Sequence, residues 1–171
     1  MEKQQMTIEV NAIINDTKKN KRYRILYIMS KDNLVLIEMD TTKFNVFIAS
    51  MNELIRGLGT RYIISKGLSK VVEESKLLDK QLENYKRKRN FINDIQRIYG
   101  PTYLELVGHN SKKDLNELYR KYNISKSHAW KIIRLILQNG FDYSILVQTR
   151  KGAELTYKNK TGRKAVVDKG I

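Results

Sequence analysis

"DLNELYRKYNISKSHAWKIIRLILQNG", Asp114–Gly140, holds two helical periods around a short turn. Leu115, Leu118 and Tyr122 fall on one face of the first. Ala129, Ile132, Ile133 and Ile136 recur at i, i+3, i+4 and i+7 in the second. Asn123 stands where such a turn needs a left-handed residue, which asparagine tolerates better than most non-glycine residues. Ile124 plugs the turn, and Ser125 caps the second helix. By spacing, residues 114–138 fit a helix-turn-helix.

Lys126, Ser127, His128, Lys131 and Arg134 take the remaining early positions of the second helix. In this motif that helix enters the major groove N-terminus first, so its first two turns meet base edges and phosphates. Lysine and arginine there donate to guanine acceptors or to phosphate oxygens. The helix N-terminus itself favours an anion. These five residues are the candidate DNA contacts, and double-stranded DNA is the expected partner. The competing reading is an ordinary packing unit with a solvated basic face. Tyr119 favours it, because it stands where the motif often has a small residue. Trp130 reads as core, a rim contact, or both, with core favoured.

Charge supports a polyanionic partner. The 171 residues include 33 Lys plus Arg and 18 Asp plus Glu, a net charge of +15, well beyond what solubility needs. The last 27 residues alone carry seven basic and two acidic side chains. There is no cysteine, which excludes disulfides and thiolate metal sites. His109 and His128 have no carboxylate pair at ligand spacing, so neither a metal nor a cofactor is expected. "MEKQQMTIEV" lacks the apolar run of a signal peptide, and no window approaches eighteen apolar residues. The expectation is a soluble cytoplasmic protein without membrane contact, associated with the nucleoid when bound to DNA.

Upstream, "MTIEVNAII", "RYRILYIM", "NLVLIEM" and "KFNVFIAS" read as four strands separated by "NDTKKNK", "SKD" and "DTT". In the second, Ile25, Tyr27 and Met29 alternate with Leu26 and Ile28, which suits a strand covered on both faces. Ser50 and Glu53 form a capping box for a helix closed by Gly57 and Gly59. From Ser69 the period changes to seven. Val71, Leu78, Tyr85, Ile92 and Tyr99, with Leu82 and Ile95, predict a long amphipathic helix ended by Gly100-Pro101. A break in it would fall at "KRKRN", and "KRKR" at 86–89 reads as a solvated face, with phosphate contact the alternative. Another helix begins at Ser111, with Asp114 in its capping box. Tyr99, Tyr103, Tyr119 and Tyr122 are expected to fill the helical interior. The fold class is α+β: a small antiparallel β unit at 1–66, a helical helix-turn-helix domain at 67–147, and a basic tail at 148–171.

The tail "QTRKGAELTYKNKTGRKAVVDKGI" has too few apolar residues at any period to offset the ordering cost of about 1–2 kcal/mol per residue. It reads as a DNA-tracking arm, with a plain solvated linker as the alternative. Arg150, Lys151, Lys158, Lys160, Arg163 and Lys164 are its candidate phosphate contacts. No nucleophile elbow, phosphate loop or acid–base constellation is visible, so no catalytic residue is expected in this chain.

The order of parts resembles a known family. A strand-rich unit containing "RYRILYI", a long helix, the stretch Asp114–Gly140, and the basic "YKNKTGRK" look like the N-terminal DNA-binding region of TnsB-type transposases. These belong to the Mu-transposase-like DDE group. The resemblance implies recognition of transposon ends, with other transposition proteins as possible further partners. It also implies strand joining in DNA recombination by a separate RNase-H-like domain downstream. A stand-alone helix-turn-helix transcriptional regulator is the alternative, distinguished by dimerisation on a palindrome where transposon ends bind separate copies in tandem. An interaction adaptor using the heptad helix at 71–99 is the third.

Overall fold

The structure, a computed structural model, describes residues 8–68, 72–107 and 112–147. Five short strands, β1 (Ile13–Asp16), β2 (Lys21–Ile28), β3 (Asn33–Glu38), β4 (Val46–Ser50) and β5 (Tyr62–Ser65), form one antiparallel sheet in the order β4-β3-β2-β1-β5. Four helices accompany it: α1 (Met51–Gly57), α2 (Asp79–Tyr99), α3 (Lys112–Lys121) and α4 (Lys126–Gln138). The class is α+β.

The sheet is apolar on both faces because successive residues of its central strands point to opposite sides. Ile25, Leu34 and Leu36 join Ile14, Tyr23, Leu54 and Tyr62 under α1. Leu26, Val35, Ile37 and Val46 face the other way and share a core with Tyr85, Ile92, Leu118 and Ile133 of the helices. The alternation in β2 fails past Ile25, where the register with β3 shifts by a bulge. Ile25 and Leu26 are both buried, while Tyr27 and Met29 stand 38% and 45% exposed and leave the face expected for them.

Three boundaries depart from the sequence reading. The first strand lies later than "MTIEVNAII", because Asn11 takes a left-handed turn (φ 75°) and pairing with β2 starts at Ile13. Strand β5 was not expected. Among the described residues it is an edge strand that pairs with β1, some fifty residues away, with Ile14 opposite Ile64. The long helix begins at Asp79, ten residues after Ser69. Leu77 is buried with extended backbone, and Leu78 is the N-cap, its N–H donating to Gln81 Oε1 at 3.2 Å. Helix α2 runs unbroken through "KRKRN". It stops at Gly100, whose φ of 72° favours glycine, directly before Pro101.

The caps separate local from tertiary demands. Ser50 Oγ accepts from the Glu53 N–H at 3.3 Å, as the capping pattern requires. Glu53 does not reciprocate; its carboxylate accepts from Arg61 and from the Tyr62 hydroxyl. Between α3 and α4, Asn123 has φ 48° and Ile124 is buried. Leu115, Leu118, Ala129, Ile132, Ile133 and Ile136 are buried as their spacing requires, whereas Tyr122 is only half-buried. Ser125 occupies the N-cap position of α4, but its hydroxyl makes no capping bond.

The C-terminal half of α4 is bolted to the sheet. Buried Arg24 donates from Nε to Gln138 O (2.9 Å) and from Nη1 to Asn11 O and Oδ1 (3.0 and 2.6 Å). Gln138 Nε2 donates to the carbonyls of Glu38 and Thr41, both at 2.9 Å. Gly140 follows at φ 65°, and a Cβ there would come within 1.8 Å of Asn11 Oδ1. No other residue fits without displacing this junction.

Candidate nucleic-acid interface

Packing decides which side of α4 remains outside. Its apolar stripe faces the shared core, and its last turns are held by the sheet, so only the first two turns project. Lys126, Ser127, His128 and Lys131 are exposed there. Neither lysine, nor His128, has a carboxylate at salt-bridge distance among the described residues. The ion pairs formed elsewhere are Lys21–Glu38, Arg22–Asp40, Arg61–Asp16, Arg61–Glu53, Lys76–Glu73, Arg89–Glu74, Arg97–Asp94 and Lys121–Asp94.

Arg134 is placed differently from its neighbours. It is half-buried, and Nη1 donates to Thr41 O at 2.9 Å and to Gln138 Oε1 at 3.3 Å. It tethers the β3–β4 loop to the helix, so a structural duty stands beside any contact it makes outside. Trp130 is half-buried, its ring edge-on to Phe44 of that loop at 5.3 Å. It belongs partly to the core and partly to the rim.

Helix α2 contributes what the sequence reading undervalued. Within "KRKR", Lys86 and Arg87 are exposed, and Arg89 pairs with Glu74 at 2.7 Å. Lys88 is buried, its Nζ donating to Leu146 O at 3.3 Å, so it is not part of a solvated face. Burial, and then Arg87, lower its pKa. The His128 imidazole is held below its ordinary range by desolvation and then by the positive charges of Lys88, Lys131 and Arg87. Lys126 and Lys131 on the first turns of α4, and Lys86 and Arg87 in the middle of α2, are exposed cations. Lys88 lies on the same helical stripe as Tyr85, Ile92 and Ile95, and that spacing was the available signal.

The remaining candidates, Arg150, Lys151, Lys158, Lys160, Arg163 and Lys164, lie outside the described residues, as does His109. The described chain ends at Val147, directly after the Leu146 carbonyl that Lys88 holds. Among the described residues, no group of three His, Asp or Glu side chains could hold a metal ion, and no helix is long and apolar enough to cross a membrane.

The expected aromatic interior is present. Tyr99 and Tyr103 are buried, and Phe91 packs against Tyr119 and Tyr122 at 6.4 and 5.9 Å. The Tyr122 hydroxyl donates to Asp94 Oδ2 at 2.6 Å, with Lys121 on the same oxygen at 2.7 Å, tying α3 to α2. No protein-family model matches the chain, and no curated protein matches it.

Proposed function

We propose that this chain binds double-stranded DNA sequence-specifically, with α3 and α4 working as a helix-turn-helix and the first two turns of α4 as the reading surface. One observation carries the reading: Lys126, Ser127, His128 and Lys131 project together from α4, with no carboxylate paired to them among the described residues. The buried core of a protein–protein interface is depleted of charge, whereas this surface presents Lys126 and Lys131 without a carboxylate partner among the described residues. The turn chemistry adds support, since a left-handed Asn123 and a buried Ile124 set α4 at a fixed angle to α3.

Transposon-end recognition is the biological setting, and it rests on the resemblance to TnsB-type transposases. In that setting residues 148–171 follow the phosphate backbone beside the site, and strand joining belongs to another domain.

Binding is measured by fluorescence anisotropy of a labelled duplex over a series of salt concentrations. If six to eight phosphates are neutralised, log K falls against log salt with a slope of roughly −5 to −7. A slope near zero rules out the proposed surface. Selection from a random duplex pool then separates sequence-specific from general binding.

A further inference from the structure

A cleft of about 340 Å³ opens between α4 and the loop joining β3 to β4, lined by Thr42, Phe44, Ser127, Trp130, Lys131 and Arg134. We propose that it takes one sugar-phosphate unit of a DNA strand, an inference that rests on the duplex-binding reading above. Its volume is at the low end of the ~300–1,000 Å³ typical of ligand sites.

The lining divides into two chemistries. Phe44 and Trp130, edge to face, supply an apolar wall of the kind that packs against a deoxyribose ring. Thr42 and Ser127 supply hydroxyls, Lys131 an ammonium, and Arg134 a guanidinium whose described bonds all leave from Nη1. Arginine has five N–H donors, so donors on its other nitrogens can turn to an anion. No carboxylate lines the cleft. Four donors and no strong acceptor suit a phosphate better than a base edge, which presents donors as well as acceptors.

The cleft is also set in advance. Thr41 O accepts from both Arg134 and Gln138, and Phe44 leans on Trp130, so the loop keeps its distance from α4 without a ligand. A preformed site loses little ordering entropy on binding. Thr42 and Phe44 thereby become DNA contacts contributed by the β unit, beside those on α4.

Trp130 is the only tryptophan, so its fluorescence in the full chain reports on the cleft alone. The probe is a mixed-sequence duplex at low salt, with affinity read by anisotropy of a labelled copy and Trp130 access by acrylamide quenching with an unlabelled one. Saturation with duplex should lower acrylamide access by about twofold or more. Thr42→Val should weaken binding about tenfold, as loss of a hydrogen bond to a charged group does. The salt slope should not change, because no charge is removed, and the melting temperature should stay within a degree or so, because Thr42 is exposed. If the duplex binds but Trp130 stays accessible and Thr42→Val binds like the wild type, the cleft is empty in the complex. The proposal then falls, while the duplex-binding reading survives. If a single strand binds more tightly than the duplex and quenches Trp130 by stacking, the cleft takes a base and the proposal is overturned. If no duplex binds at all, both fall together.

Discussion

Arg24 Nε stands 2.9 Å from the carbonyl oxygen of Gln138, joining the second strand to the last turn of α4 across 114 residues. Arg24 is 4% exposed and has no carboxylate partner among the described residues; its guanidinium donates to backbone and amide oxygens. A cation at a helix C-terminus also meets the negative end of the helix dipole. Arg24→Ala leaves three acceptors without their donor, one of them buried, and should cost about 2–3 kcal/mol, read by urea unfolding. A loss under about 1 kcal/mol would mean that water replaces the side chain without difficulty.

Lys131 and Arg134 sit three residues apart on α4 but should behave differently. Lys131→Ala should leave the melting temperature nearly unchanged and, if Lys131 holds a phosphate as the cleft proposal has it, weaken duplex binding alike for all sequences and lower the salt slope by about 1. Arg134→Ala should do both kinds of damage, because it also releases the Thr41 carbonyl. Parallel thermal and binding measurements on the two variants check this. Equal stability in both would remove the tethering duty from Arg134.

His128 gives the interface a pH dependence of defined sign. The unfolded chain takes up this proton near pH ~6.5. The folded chain resists it, through desolvation and the nearby Lys88, Lys131 and Arg87. The folded pKa is lowered, so the contribution to stability is present above about pH 6.5 and is lost as pH falls through the folded value. On the proposed function, bound phosphates would offset the positive charges, though not the desolvation, and so raise this pKa. Duplex affinity should therefore rise as pH falls from about 7.5 to 5.5, by at most about tenfold per unit. His128→Gln should flatten both profiles, and an unchanged profile in that variant would discard the assignment.

Tyr103 is fully buried, and its hydroxyl has no hydrogen-bond partner among the described residues. Burial raises its pKa far above the usual phenol range. Tyr103→Phe removes only the unsatisfied oxygen and should be neutral or stabilising by up to about 1 kcal/mol. Denaturant unfolding of the variant decides it. A loss above about 1 kcal/mol would show that the oxygen has a partner, such as an ordered water.

What could be read from the sequence was local. The α4 stripe, the left-handed Asn123, the Ser50 cap and the stop at Gly100 each depend on residues a few positions apart, and the structure places all of them as read. What could not be read depends on distant partners. Strand β5 exists because β1 has an open edge beside it. Phe44 and Thr42 line the cleft because Arg134 and Gln138, some ninety residues on, hold their loop. Arg134 reads as an outward residue by periodicity alone, and only the loop above it explains why it turns back. In "KRKR" the charge of Lys88 outweighed its helical position, although position governed its burial.

The junction of Asn11, Arg24, Gly67 and Gly140 also orders events during synthesis. A Cβ at Gly67 would fall 1.9 Å from Asn11 O, and one at Gly140 still closer to Asn11 Oδ1, so the four segments meet without spare room. On a ribosome adding about 5–20 residues per second, Asn11 and Arg24 wait several seconds for Gly140. The strands can pair in that interval, but the Arg24 guanidinium keeps its water until the end of α4 arrives. Docking of α4 is then a late step, and a chain stalled before residue 138 would carry a sheet with an open, hydrated arginine at its centre.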